Sequence, residues 1–142
     1  MSRGRLFVDT SAWLAYVNAA DADHRRVRAI LDDPPGRLVT STYVFDENVT
    51  LTQARLGHRR AIAVGRALLD PGLVELLHVA PPDEKAAWPT RRRRGRSSNS
   101  DWTKSYSFTD CTSFVVMRRE HIEGAIALDA HFSQEGFTIL PR

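Results

Sequence analysis

The sequence predicts an α/β fold with a mostly parallel sheet. Two observations carry that reading. Short apolar runs of strand length, such as Leu6-Phe7-Val8 and Leu38-Val39-Thr40, recur along the 142 residues. Segments with apolar residues at helical spacing lie between them, and strands alternating with helices place a parallel sheet between covering helices. No internal repeat competes with this reading.

In chain order, Leu6-Phe7-Val8 is a short buried strand, and Asp9, Thr10 and Ser11 follow as helix N-cap candidates. Trp13, Leu14 and Val17 then fall at helical spacing. His24 to Leu31 is a second helix, with Val27, Ile30 and Leu31 on one face, ended by Pro34-Pro35-Gly36. Leu38-Val39-Thr40 is the second strand, and Ser41 or Thr42 caps a third helix running to about Leu56, with Gly57 as its stop. Arg59 to Leu69 is a fourth helix, closed by Asp70-Pro71-Gly72. A strand lies within Leu73 to Val79. Pro81-Pro82-Asp83-Glu84 opens a helix that Pro89 is expected to stop, because proline removes a hydrogen bond and clashes with the preceding turn. Thr90 to Ser107 shows no periodicity and is expected to be a loop. Thr109 is expected to cap a helix through Arg119, and strands follow at Ala125 to Leu128 and Phe137 to Leu140.

The length suits one domain with a genuine core, residues 1–142. A hydrophobic content of 42% and a charged content of 26% belong to soluble globular chains. No apolar run approaches the roughly 20 residues of a membrane span, and the N-terminus carries no signal-peptide core, so a cytoplasmic protein is expected. Cys111 is the single cysteine. That excludes an internal disulfide and a thiolate metal cluster, and a lone thiol among apolar residues is expected to pack. The net charge of +3 hides an asymmetry. Arg91, Arg92, Arg93, Arg94, Arg96 and Lys104 stand against Asp101 alone, so the rest of the chain is mildly acidic. Such a patch is the footprint of a polyanion partner or a solvated charge run.

Four carboxylates sit at the edges of these segments. Asp9 ends Leu6-Phe7-Val8, Glu47 lies within Tyr43 to Val49, Asp110 opens the run to Val116, and Asp129 closes Ala125 to Leu128. Singly, each has an ordinary explanation as a cap, a first-turn acid, a solvated residue or a turn residue. Together they can converge on the carboxyl rim of a parallel sheet, where α/β folds bind ligands. Like charges about 5 Å apart repel by roughly 3 kcal/mol per pair at an effective dielectric near 20. Such a group either raises its pKa values or recruits a hard divalent cation, for which Mg²⁺ is the usual answer. That chemistry points to metal-dependent phosphodiester hydrolysis. Thr10, Ser11 and Thr109 are candidate supporting hydroxyls.

On these residues the chain resembles the PIN-domain ribonucleases, and specifically the VapC-type toxins of type II toxin–antitoxin systems. The likeness is carried by Phe7-Val8-Asp9-Thr10-Ser11-Ala12-Trp13, by Asp46-Glu47-Asn48-Val49-Thr50-Leu51, by Ser107 to Phe114 and by Ala127-Leu128-Asp129-Ala130-His131-Phe132. It covers nearly the whole chain in order, except about residues 89–106. The resemblance implies a three-layer α/β/α sandwich, an Mg²⁺ or Mn²⁺ site, endonucleolytic cleavage of RNA, a cognate antitoxin covering the site, and a homodimer. It also implies Asp9 and Asp110 as metal ligands, with Glu47 and Asp129 binding directly or through water. The Arg-rich stretch at about 89–106 departs from the family pattern.

Two rival readings remain at this stage. A non-catalytic RNA- or protein-binding module would keep the fold and use the acids only as caps. An aspartyl-nucleophile phosphatase would also place Asp9 after a first strand, but Ser11 stands where its second acid belongs. Five histidines show no zinc spacing; His131, close to Asp129, could touch substrate, but it is expected to be a surface or turn residue. Trp13 and Trp88 are expected in the core, whereas Trp102 and Tyr106 are candidate stacking residues beside the basic loop. No Gly-rich phosphate loop is present.

Overall fold

The computed structural model describes residues 4–94 and 106–142, with the backbone alone for residues 89–94. Five strands form the sheet: β1 (Arg5–Val8), β2 (Arg37–Ser41), β3 (Glu75–Leu77), β4 (Gly124–Ile126) and β5 (Thr138–Leu140). Among the described residues, seven helices connect and cover them: α1 (Thr10–Val17), α2 (His24–Asp32), α3 (Thr42–Leu56), α4 (His58–Leu68), α5 (Pro81–Arg94), α6 (Phe108–Arg119) and α7 (His131–Gln134). The strand order is β3-β2-β1-β4-β5, and every pairing is parallel. The chain builds outward from β1 through β2 to β3, then returns to β1's other side for β4 and β5. With right-handed crossovers, that reversal puts helices on both faces. Phe7, Val8, Val39, Ala125 and Ile126 are accordingly fully buried, as strands covered on both sides must be.

Local chemistry fixes the joints. Ser41 Oγ accepts from the Val44 amide at 3.1 Å and caps α3. Gly57, at φ +95°, makes the left-handed turn that folds α4 back on α3. Gly124 pairs with Leu6, where an added Cβ would stand 2.8 Å from the leucine Cδ2. Trp13 is core, its indole N–H reaching Thr40 Oγ1 at 3.5 Å. Cys111 is fully buried.

Several expectations are corrected. The helix opened by Pro81 runs through Pro89 to Arg94. Proline forfeits the bond to the carbonyl four residues back, at about 3 kcal/mol, but its φ is already helical and later residues donate normally. Packing of α5 along α6 holds the earlier turns. The expected loop at 89–106 therefore begins no earlier than residue 95, and residues 95–105, with Trp102, lie outside the described part. Ser107, not Thr109, caps α6, and its Oγ accepts from the Asp110 amide at 3.0 Å. Trp88 is half exposed rather than core. The short helix α7 was not expected, because four residues show no period. No helix among the described residues is long and apolar enough to cross a membrane.

Candidate functional site

The reversal of strand order opens a crevice at the carboxyl ends of β1 and β4, the place where such sheets bind ligands. Asp9 follows β1 directly, and its amide donates to Ile126 O at 3.0 Å, extending the ladder to β4 by one step. It occupies the N-cap position of α1, yet its side chain does not cap that helix. Instead Ser11 Oγ donates to Asp9 Oδ2 at 2.9 Å and accepts from the Leu128 amide at 3.1 Å. One hydroxyl thus ties the first acid to the segment leaving β4. That segment carries Asp129, whose Oδ1 accepts from the His131 amide at 3.0 Å and sets the turn into α7. Asp110 arrives from the first turn of α6, where a negative charge complements the helix dipole. Glu47 projects from α3, between the buried Val44 and Asn48.

These four acids line one open depression of about 420 Å³ with Thr10, Ser11, Ser107 and His131. Six of the seven residues marked in the sequence are therefore brought together. Thr109 is not among them. It faces a neighbouring groove, and its backbone carbonyl accepts from the Thr112 and Ser113 hydroxyls, because the register of α6 sends consecutive residues to different sides.

The electrostatics separate the acids. Asp9 is 3% exposed. Burial first, then the charges of Asp110 and Asp129, push its carboxyl from the ordinary 3.8 up to about 7, against the Ser11 hydroxyl and the Thr10 amide, which pull it down. Burial also raises Asp110, which the imidazole of His131 partly offsets through a contact of 2.7 Å. Glu47 and Asp129 are half-buried and stay wet. No arginine or lysine among the depression's lining residues balances this charge.

The residues fit a divalent cation. The donors are oxygen-rich, two carboxylates are buried with no arginine or lysine beside them, and Thr10 Oγ1 is a buried hydroxyl with no partner. Among the described residues, no three acidic or imidazole side chains already close on one point. A small hard cation that keeps several waters and takes only one or two carboxylates does not need such a cage.

His131 and Ser107 line the depression and were not among the sequence candidates, and His131 is the one that touches the acids. Its Nδ1 lies 2.7 Å from Asp110 Oδ2 and 3.7 Å from Asp129 Oδ1. Phe132 beside it is fully buried against Phe7 and Phe114, and the Tyr106 ring meets the imidazole edge-on at 5.2 Å. The signal lay in the alternation of His131 with the aromatic anchor Phe132, which fixes the imidazole's direction.

Comparison with known proteins bears on this site. The PIN domain family matches residues 6–137. A protein of Mycobacterium tuberculosis named 23S rRNA-specific endonuclease VapC20 is 39% identical over 132 residues, covering 93% of this chain and 95% of that one. The crystal structure of VapC20, described as a sarcin–ricin loop cleaving toxin, superposes with a TM-score of 0.82 at 38% identity, over 94% of this chain and 96% of that one. The DNA-bound VapBC of Salmonella typhimurium matches with a TM-score of 0.65 over 96% of both chains, and at 13% identity it speaks for the fold alone.

Proposed function

Because the chain belongs to the PIN domain family, we propose that it is an endoribonuclease dependent on Mg²⁺, or Mn²⁺ in its place, and the toxin of a toxin–antitoxin pair. The observation that carries this reading is Asp9: a carboxylate buried at the sheet's switch point, pushed to about 7, with two further acids nearby. Helix capping does not account for Asp9, whose side chain makes no capping bond at α1 and takes the Ser11 hydroxyl instead. The identity to an RNA endonuclease over nearly the whole chain supports RNA as the substrate.

Asp9 and Asp110 hold the ion, and Glu47 and Asp129 bind it directly or through water. Ser11 fixes Asp9 to the β4 side of the crevice, and His131 fixes Asp110. Thr10 Oγ1 is the unused hydroxyl available to a phosphate oxygen or a water. When bound, the ion neutralises the phosphodiester, generates a nucleophile from water and stabilises the leaving oxygen. The acids alone would repel an RNA backbone, a repulsion that a bound cation would offset. A cognate antitoxin inhibits by placing a basic side chain among the same acids. Residues 1–142 act as one domain, paired as a homodimer in the cytoplasm.

The test is cleavage of a mixed RNA pool that includes 23S rRNA and a sarcin–ricin loop oligonucleotide, the targets in the relative's name. It is run with Mg²⁺, with a chelator, and with Asp110→Asn. Cutting that requires both the ion and Asp110 bears the reading out. Absence of cutting from a folded chain that also fails to bind Mg²⁺ leaves a binding module and sinks the nuclease.

A further inference from the structure

A second groove, of about 410 Å³, opens beside the acid depression and is lined by Thr42, Tyr43, Asp46, Phe108 and Thr109. Consecutive residues divide between the two concavities. Asp46 faces the groove and Glu47 the depression, as do Phe108 and Ser107, and Thr109 and Asp110. Neighbouring Cα atoms are about 3.8 Å apart, so groove and depression share a wall one residue thick.

The groove's chemistry is aromatic and acidic. Tyr43 meets Phe108 edge-on at 6.0 Å, and Phe108 meets Trp88 at 6.1 Å. Trp88 is 51% exposed, whereas Trp13 is 7% exposed in the core. An indole left half in water forgoes the burial its large surface would give, and its open face is the surface on which bases stack. Among the described residues, the charged groups that line the groove or bond its lining are acceptors: Asp46 is exposed, and Glu84 accepts the Tyr43 hydroxyl. Such acceptors suit a neutral ring that carries N–H donors.

Resting on the endoribonuclease reading, we infer that this groove is a nucleobase subsite. It takes one unstacked base of single-stranded RNA adjoining the scissile phosphate. Trp88, at the groove's edge, supplies the stacking face, Phe108 backs it edge-on at 70°, and Asp46 accepts N–H donors on the base edge. Guanine, with two such donors side by side on its Watson–Crick edge, fits best. An ordinary duplex stem cannot present a base this way, so the substrate offers a loop or an end.

The test uses the full chain carrying Asp110→Asn as a binding parent, with Mg²⁺ and short fluorescein-labelled single-stranded oligoribonucleotides of random sequence. Adding Trp88→Ala should weaken binding about 5- to 100-fold, the range one base–aromatic stack supports, while Trp88→Tyr should stay close to the parent. Melting temperatures within a few degrees of the parent guard against misfolding, which a half-exposed residue should not provoke. In the cutting-competent chain, sequenced ends should show a guanine preference at one position beside the cut, erased by Asp46→Asn. The two readings fail separately. A wild-type chain that neither cuts nor binds Mg²⁺, yet binds RNA through Trp88, loses the nuclease and keeps the subsite. Equal RNA affinity with and without the Trp88 ring overturns the subsite, as does an RNA-blind parent or an Asp46→Asn cut pattern identical to wild type. A Trp88→Ala chain that binds RNA normally but loses a protein partner assigns the groove to that partner instead.

Discussion

The two ends of the sheet treat charge in opposite ways. At the amino end, Arg5 opens β1 and bonds Glu75 at 3.3 Å, Glu120 at 3.1 Å and the Glu120 carbonyl at 2.6 Å. Arg37, opening β2, lies 3.6 Å from Glu75, and Arg119 links Glu120 and Asp83. Glu75, Glu120 and Asp83 each have a guanidinium. At the carboxyl end, three aspartates and a glutamate gather with a single imidazole as company. The chain carries 20 lysines and arginines, so cations are not scarce. The amino end uses its charges to fasten strands together, while the carboxyl end keeps its acids unpaired at a cost in stability. Such electrostatic strain is what the cation proposed for this acid group would relieve.

The contrast breaks most visibly on Asp110→Asn. Removing one proposed ligand takes away several kcal/mol of transition-state stabilisation, so cleavage should fall by about 1,000-fold or more. Circular dichroism should report an unchanged fold, because Ser107 still caps α6 through the Asp110 backbone amide. Retained cleavage would remove Asp110 from the site.

Asp9 gives the next largest effect, and its sign is opposite to that of a paired carboxylate. In the unfolded chain it titrates near 3.8, and in the folded chain near 7. Between those values the folded state holds the extra proton, so without metal this group makes stability fall as pH rises from about 4 to about 7. Above that window the loss is complete and flat. Asp9→Asn should therefore stabilise the metal-free chain at pH 8, on the order of a few kcal/mol, and should flatten the slope between pH 4 and 7 in denaturant melts. The proton and the cation compete for the same carboxylate, so Mg²⁺ affinity should fall as pH drops through 7. At 100 times its dissociation constant, Mg²⁺ should stabilise wild type by about 2.7 kcal/mol, and Asp9→Asn should lose that gain. An Asp9→Asn chain less stable than wild type at pH 8 would contradict the unpaired-acid picture.

The amino end predicts the reverse. Arg5→Gln should destabilise by about 1–2 kcal/mol, discounted for a side chain still 29% exposed, and should leave cleavage intact below the lowered melting temperature. Loss of activity from a folded Arg5→Gln chain would show that the two ends are coupled.

What the sequence could show follows from the same division. The four acids were legible because each borders an apolar run, and a parallel sheet brings such borders to one rim. Strand order was not written in the runs, yet the rim needs only that they be parallel. Thr109 and Ser107 exchanged roles because α6 starts at Phe108, two residues earlier than a Thr109 cap implies, and two residues are about 200° of helix. The continuation of α5 past Pro89 escaped because proline marks the helical turn before it rather than those after it. Trp88 escaped because hydrophobic period reports which residues could be buried, and an aromatic face left open beside an acid site violates that rule for a reason periodicity cannot carry.

The smallest predicted effect bears on how completely the carboxyl end is prepared for a ligand. Thr10 Oγ1 is buried without a partner, and a hydroxyl so placed loses its water without gaining a protein bond. Thr10→Val keeps the β-branched shape and removes the unsatisfied oxygen. The metal-free chain should therefore melt at the same temperature or slightly higher, by less than about 1 kcal/mol of stability. If the hydroxyl serves a phosphate or a water in the crevice, the same variant should lower cleavage about tenfold, the worth of one hydrogen bond to a charged group. A stable variant with weakened cleavage places Thr10 with the acids as part of the prepared surface. A variant that loses stability instead would mean the hydroxyl is bonded in solution, and would return Thr10 to the structural side of the comparison.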